Sequence, residues 1–379
     1  MDEQPGVVVT TDTVIVGASA AGLAVGACLR RTDVPFVLLE QAQQVGAAWR
    51  RHYERLHLHT SRGLSGLPYW PMPRDYPRYP SRQQVVDYLE QYAAHFQLQP
   101  HFEQTVIDVR QGAESWETRT ADTCYRSRHL VIATGYTRQP HMPTWPGQEA
   151  FAGPVLHSSA YRNGAPFRGG EVLVVGFGNS GGEIAIDLHE HGARPALAVR
   201  SAVNVVPRDL LGIPILGWGI ALSLFPAPVA DFLAAPLLRL SIGDLTRAGL
   251  RKLPYGPNTQ MREHARIPLL DVGTMRLIRQ GQVRLFPGID HFVPEGVVFT
   301  DGRQAHFDAV VLATGYRPAL ADFLRPAAEV TDAVGVPLVS GSEAALPGLY
   351  FCGFYASPTG MLREIGLEAR RIAAAIAAT

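Results

Sequence analysis

Two glycine-rich turns, each set between an apolar strand and a helix, constrain this chain more than any other feature. The first runs from Val14-Ile15-Val16 through Gly17-Ala18-Ser19-Ala20-Ala21-Gly22 into a helix expected over 23–30. The second runs from Val172-Leu-Val-Val175 through Gly176-Phe177-Gly178-Asn179-Ser180-Gly181 into a helix expected over 182–190. A tight turn of this kind aims backbone N–H groups and the positive end of a helix at a pyrophosphate. One such turn is weak evidence. Two in one chain predict an α/β molecule with two Rossmann-type units, each holding a dinucleotide.

The end of the second strand in each unit tells the two nucleotides apart. Phe36-Val-Leu-Leu39 ends in Glu40 and Gln41, and an acid about 20 residues past the turn suits a grip on a ribose 2′-hydroxyl. The equivalent strand of the second unit, Ala196-Leu-Ala-Val199, ends instead in Arg200-Ser201. A carboxylate there would repel a 2′-phosphate, whereas guanidinium and hydroxyl bind it. The second nucleotide is therefore expected to be NADPH, and the first to lack a 2′-phosphate. Ser19 replaces the usual middle glycine of the first turn, a small departure that adds a hydrogen-bond donor.

Composition narrows the function class. The 379 residues suffice for two or three domains, and the formal charge of +0 gives no reason to expect nucleic acid as a partner. Lys252 is the only lysine, which disfavours Schiff-base chemistry. Cys28, Cys124 and Cys352 have neither a zinc spacing nor the CxxC or CxxxxC of a flavin disulfide reductase. His52, His57 and His59 cluster in sequence without an Asp or Cys to complete a ligand set, so no metal is expected. The acidic start Met1-Asp-Glu-Gln-Pro predicts no signal peptide and a cytoplasmic location. Residues 210–230 carry no charge and reach spanning length, but glycines and prolines break them up, so they read as a buried or substrate-lining insertion.

Elsewhere the pattern predicts a helix from Arg82 to Phe96 and a small antiparallel layer from Thr105–Arg110, Ser115–Thr120 and Thr123–Ser127. Two strands echo each other, one ending in Thr134-Gly135-Tyr136 and one in Thr314-Gly315-Tyr316. A helix is expected from Thr359 towards Ala378. His57 and His59 would share one side of a strand. The expected division is 1–164 with 317–379 as the first nucleotide-binding domain and 165–316 as the second, which includes an apolar insertion near 208–255.

Between the fingerprints lies Phe151-x-Gly153-x-x-x-His157-x-x-x-Tyr161-Arg162. This string, with both fingerprints, resembles the signature of the flavin-containing monooxygenases. Arg55-Leu-His-Leu-His-Thr60, Pro207-Arg208, Leu210-Leu211-Gly212 and Pro268-Leu-Leu-Asp271 resemble the YUCCA branch, the plant indole-3-pyruvate monooxygenases. Gly353-Phe-Tyr-Ala-Ser-Pro-Thr-Gly360-Met361-Leu-Arg-Glu364 is more similar to bacterial relatives. The resemblance implies a glutathione-reductase-like plan with the NADPH domain inserted into an FAD domain. It implies a monooxygenase that forms a C4a-(hydro)peroxyflavin from FAD, NADPH and O2.

The resemblance also implies roles for individual residues. His59 would stand near the flavin peroxide, where many relatives have Asn, with Arg62 at a usual lysine and His157 at the domain joint. FAD would be held by Gly17, Ser19, Ala20, Ala21, Gly22, Glu40, Gln41, Trp49, Arg50, His59, Thr134, Gly135 and Tyr136, and by Gly360 and Met361 at the last helix. NADPH would be held by Gly176, Gly178, Asn179, Ser180, Gly181, Arg200 and Ser201, with Thr314, Gly315 and Tyr316 nearby. The substrate implied is a small, largely apolar molecule, with oxidative decarboxylation of a 2-oxo acid as the first reading. N- or S-oxygenation, Baeyer–Villiger insertion, an NADPH oxidase or flavin reductase, and a redox-sensing module stay open, as does a homodimer.

Overall fold

The computed structural model describes residues 6–355, 357 and 359–379. The first five residues, on which the signal-peptide expectation rests, lie outside the described residues, as do Ala356 and Pro358 of the 353–364 stretch.

Apolar runs flanked by the two glycine turns build two sheets, the first mixed around a parallel core and the second all parallel. In the first, β1 (Val7–Val16) is central, flanked by β2 (Phe36–Leu39) and a later strand, with α1 (Ala20–Arg30) returning from β1 to β2. A short helix α2 (Ala47–Arg51) follows, and then α3 (Arg82–His95), whose start carries a capping box between Ser81 and Gln84. The antiparallel pair β3 (Asp108–Gln111) and β4 (Trp116–Arg119) joins β5 (Thr123–Ile132), giving the order β2-β1-β5-β4-β3, and the strand Leu349–Phe351 pairs in parallel with β5. The strand expected over 123–127 and the closing strand after it are one ten-residue strand, because β5 pairs with β4 along its first half and with β1 throughout.

The second sheet takes β6 (Val155–His157), β7 (Glu171–Val175), β8 (Arg194–Ala198), β9 (Arg284–Phe286) and β10 (Ala309–Leu312) in the order β9-β8-β7-β10-β6, all parallel. The helix α4 (Asn179–Glu190) connects β7 to β8. β6 precedes the domain boundary expected at 164 yet pairs with β10 of the second sheet, so the Phe151–Arg162 string is woven into the second unit.

Each sheet is sandwiched between apolar layers. One core joins α1, α3 and the C-terminal helix Met361–Ala377 through residues such as Leu23, Leu89 and Ile372, all fully buried. A second core under α4 includes Tyr53 and packs Leu56 against it, although both belong to the segment after α2. The apolar insertion folds as α5 (Ile215–Leu222), α6 (Ala227–Ile242) and α7 (Pro257–Arg262). Of the two expectations, buried or substrate-lining, the first does not hold along its whole length, since Leu224 is 85% exposed and Phe232 78%. No helix among the described residues is long and apolar enough to cross a membrane. The strand expected for His57 and His59 is coil with one bridge from His57 to Ser81, so strand alternation does not set their directions.

Candidate functional site

Both fingerprints fold as their glycines require. A methyl group at Gly22 would sit 1.8 Å from the Gly17 carbonyl oxygen, and one at Gly181 would sit 2.2 Å from that of Gly176. These close approaches let each helix dock on its strand turn. Gly178 differs, because a methyl there would meet nothing within 4 Å and its φ of −99° is ordinary. The protein itself does not demand glycine at 178; the open space in front of it fits a closely approaching phosphate. Ser19, at the same place in the first turn, caps α1 without a side-chain bond to it, and it lines a cleft.

That cleft lies where a dinucleotide on the first unit belongs. Its walls include Gly17, Ser19, Glu40, Gln41, Arg51, Thr134 and Arg138. Glu40 is buried, and its carboxylate accepts from the N–H groups of Ala18 (2.7 Å) and Ala42 (2.9 Å). Those bonds fix the carboxylate at the cleft, and its remaining lone pairs can take ribose hydroxyls. The Thr134 hydroxyl is buried without a partner among the described residues. A polar atom left so within a lined cleft fits a bound polar group. The residues present therefore fit FAD.

Helix rotation redistributes two of the expected contacts. Arg51 lines the cleft, whereas Arg50 donates to the Val45 carbonyl (3.1 Å) and pairs with Glu90. Trp49 is half-buried against the first core and edge-on to His52. The Tyr136 hydroxyl donates to the Phe354 carbonyl, and burial raises it to about 12. Gln104, Val106, Thr137 and Phe323 also line the cleft, and sequence reasoning missed them because they come from loops remote from either fingerprint.

On the second unit, Arg200 and Ser201 are exposed at the end of β8. Arg200 borders a depression of about 380 Å³ together with Arg251 and Arg303. These two further guanidiniums were also missed; both lie more than 50 residues beyond Arg200 in the chain. The Asn179 side chain accepts from Leu270 N–H (2.8 Å), which ties the second turn to the strand after α7.

The linker string acts as a joint. His157 is buried; its Nδ1 accepts from Ser159 N–H (3.1 Å) and its Nε2 donates to the Gly315 carbonyl (2.9 Å). Burial lowers its pKa, so the ring is neutral at pH 7. Tyr316 lies edge-on at 4.9 Å, and the Thr314 hydroxyl donates to the His141 carbonyl (2.6 Å). Thus the 314–316 turn is tied to the two crossing linkers. Tyr161 donates to Asp187 of α4 (2.6 Å), and Arg162 reaches the carbonyl of Arg51 at the end of α2. Gly153 has no room for a side chain, since a methyl would lie 2.3 Å from the Asp308 carbonyl oxygen.

His59 lies where the two units and the insertion meet. Its Nε2 is 2.8 Å from Glu183 Oε1 on α4. The neighbouring Thr60 packs against Gly360, where a methyl would come within 2.6 Å of Thr60 Cγ2 and 3.8 Å of Leu216. Gly360 caps the C-terminal helix, with Met361 its first residue. Arg62 points elsewhere: its guanidinium donates to the carbonyls of Arg74 and Tyr76 and pins the proline-rich loop. Beside Leu216 opens an apolar cavity of about 210 Å³, lined by residues including Val206, Trp218, Leu237, Met261 and Ser357.

The family model for pyridine nucleotide-disulphide oxidoreductases matches residues 14–208. The chain is 38% identical to the probable indole-3-pyruvate monooxygenase YUCCA4 of Arabidopsis thaliana, across 86% of this chain and 80% of that protein. It is equally 38% identical to indole-3-pyruvate monooxygenase YUCCA1 of Oryza sativa subsp. japonica, across 90% and 86%. The chain belongs to the YUCCA-like flavin-containing monooxygenases. Its structure superposes on a flavin-containing monooxygenase from Stenotrophomonas maltophilia with a TM-score of 0.76 and 27% identity, covering 98% of this chain and 99% of that one. It is a flavin-dependent monooxygenase that uses FAD, NADPH and O2 on a small-molecule substrate. The disulfide branch of the matched family needs a cysteine pair, and Cys28, Cys124 and Cys352 are all free and buried. Among the described residues no His, Cys, Asp and Glu group could hold a metal ion.

Proposed function

We propose that this monooxygenase oxidatively decarboxylates a 2-oxo acid with a flat apolar body, of which indole-3-pyruvate is the first candidate. The observation that carries the reading is the apolar cavity beneath α5 and α6, which runs to Ser357 near the cap of the C-terminal helix. Its Trp218 and leucine walls suit an aromatic ring, and relatives that match most of the chain are indole-3-pyruvate monooxygenases. FAD supplies O2 activation and oxygen transfer, and NADPH the hydride.

The chain's own residues bind, orient and exclude water. Glu40, Ser19 and Thr134 hold the nucleotide of the first unit, with Gln41 and Arg51 at its rim. Arg200 and Ser201 select the 2′-phosphate, with Arg251 beside them. His59 faces the reacting end of the flavin and can accept and return a proton there, while Arg62 and His157 position the loop and the joint. The units 1–164 with 317–379 and 165–316 carry the two nucleotides, with β6 lent from the first to the second sheet.

One observation favours a second reading. No lysine or arginine lines the apolar cavity, and a substrate carboxylate would find its cation only outside it. A neutral sulfide, amine or ketone would fill the cavity without that need. A panel of 2-oxo acids, sulfides, amines and ketones, scored by product formed per NADPH, decides between them. A cytoplasmic setting fits three unpaired buried cysteines. Association into a homodimer fits the exposed Leu224, Phe232 and Leu240 of the insertion, and sedimentation would test it.

A further inference from the structure

One face of α4 carries a row of polar side chains, Ser180, Glu183, Asp187 and Glu190, each met by a residue from outside the helix. Spacings of three, four and three residues put them on one stripe. Tyr53 lies beside Ser180, His59 meets Glu183, Tyr161 donates to Asp187, and Arg55 pairs with Glu190. Three of these four partners come from the coil 53–59, which belongs to the first nucleotide unit, while α4 carries the second nucleotide turn. The stripe is therefore the surface on which one unit grips the other.

Glu183 stands apart within that row. It is 4% exposed, and a carboxylate so buried is costly unless a proton-bearing group meets it. Its Oε1 lies 2.8 Å from His59 Nε2, close but not aligned as a hydrogen bond, and neither atom has another hydrogen-bond partner among the described residues. Among the described residues no hydrogen bond reaches His59 Nδ1. The arrangement has the logic of an orienting carboxylate behind a histidine, in which a partner on one ring nitrogen decides what the other presents.

We propose that Glu183 is a positioning residue: its carboxylate draws the His59 proton to Nε2, which leaves Nδ1 as an acceptor. Because Glu183 sits one turn into the helix of the NADPH fingerprint, the ring that faces the flavin is set from the other unit. A shift of α4 relative to the first unit would release it. The inference rests on the reading of His59 as a flavin-facing residue, but its own content, the state of the ring, is separately measurable.

The test uses the holoenzyme labelled with 15N-histidine at pH 8.5, with the His59 signals assigned by their loss in H59Q. Wild type is expected to show a protonated Nε2 and an unprotonated Nδ1. E183Q, whose amide oxygen still accepts from Nε2, should keep that pattern, and E183A should show mixed tautomers. An unchanged tautomer in E183A overturns the proposal. Turnover gives the second arm. E183A should lower product formed per NADPH about tenfold, E183Q should recover most of that loss, and the H59A/E183A double variant should be no worse than H59A. Additive losses, or a loss in E183A that only tracks a fallen Tm, also overturn it. If E183A changes the tautomer while H59A leaves turnover intact, Glu183 still orients His59, and it is the flavin-facing reading of His59 that fails.

Discussion

Arg200 stands exposed at the rim of a depression it shares with Arg251 and Arg303, and nucleotide choice should turn on it. A charge-assisted bond to a phosphate is worth about 1.5–3 kcal/mol, so Arg200→Ala should raise KM for NADPH roughly tenfold or more and leave NADH unchanged. Steady-state kinetics with both cofactors checks this, and equal losses would remove the assignment. His52 gives a pH prediction. Burial first, and then the nearby Arg82, Arg51 and Arg162, lower its pKa from 6.5 to about 4. The unfolded chain therefore takes up a proton that the folded ring refuses. The stability this ring contributes is complete above pH 6.5 and falls as pH drops towards 4. Thermal melts should lose less between those limits in His52→Gln than in wild type. Glu40 and Arg200 are legible in sequence because the charge at a strand end is a local property. Arg51 is not, since rotation of a five-residue helix decides whether it or Arg50 faces the cleft.

The glycine turns and their helices are the most legible elements, because close backbone approach leaves little choice of residue. Gly181→Ala would place a methyl 2.2 Å from a backbone oxygen, and it should cost on the order of 3 kcal/mol or more, seen as a lower Tm and weaker NADP+ binding. The joint is less legible. The Phe151–Arg162 string is visible as a motif, yet its packing is not: Tyr161 is 1% exposed, lies stacked with Phe167 and bonds Asp187. Tyr161→Phe leaves that buried carboxylate short of a donor and should cost about 1–3 kcal/mol by denaturant melts. The coil 53–60 misled the strand reading, because its apolar and histidine residues alternate for a different reason. Tyr53 and Leu56 face the α4 core while His59 meets Glu183, and these partners lie more than 120 residues away in the chain. The apolar insertion likewise shows in composition, but its helices are set by tertiary contacts such as Asp231, which accepts from the N–H groups of Asn258 (2.7 Å) and Thr259 (3.0 Å) at the start of α7.

At the scale of the molecule, two nucleotide units meet along α4 and the crossing linkers, with His59, Gly360 and the apolar cavity at the same corner. On the proposed reading, that arrangement would bring hydride donor, flavin and substrate into one place, and it would account for a motif at the joint itself. NADPH oxidation should be spent on oxygenating an organic molecule, a 2-oxo acid being the first candidate, and not released as peroxide. The direct test supplies 18O2, NADPH and indole-3-pyruvate to the holoenzyme and follows product, CO2 and hydrogen peroxide. The expected result is one NADPH consumed, one CO2 released and one acid with a carbon fewer per O2, with one labelled atom retained in the carboxylate or CO2 and the other in water. Stoichiometric hydrogen peroxide with no labelled organic product, from this acid and from every sulfide, amine and ketone of the panel, would contradict it.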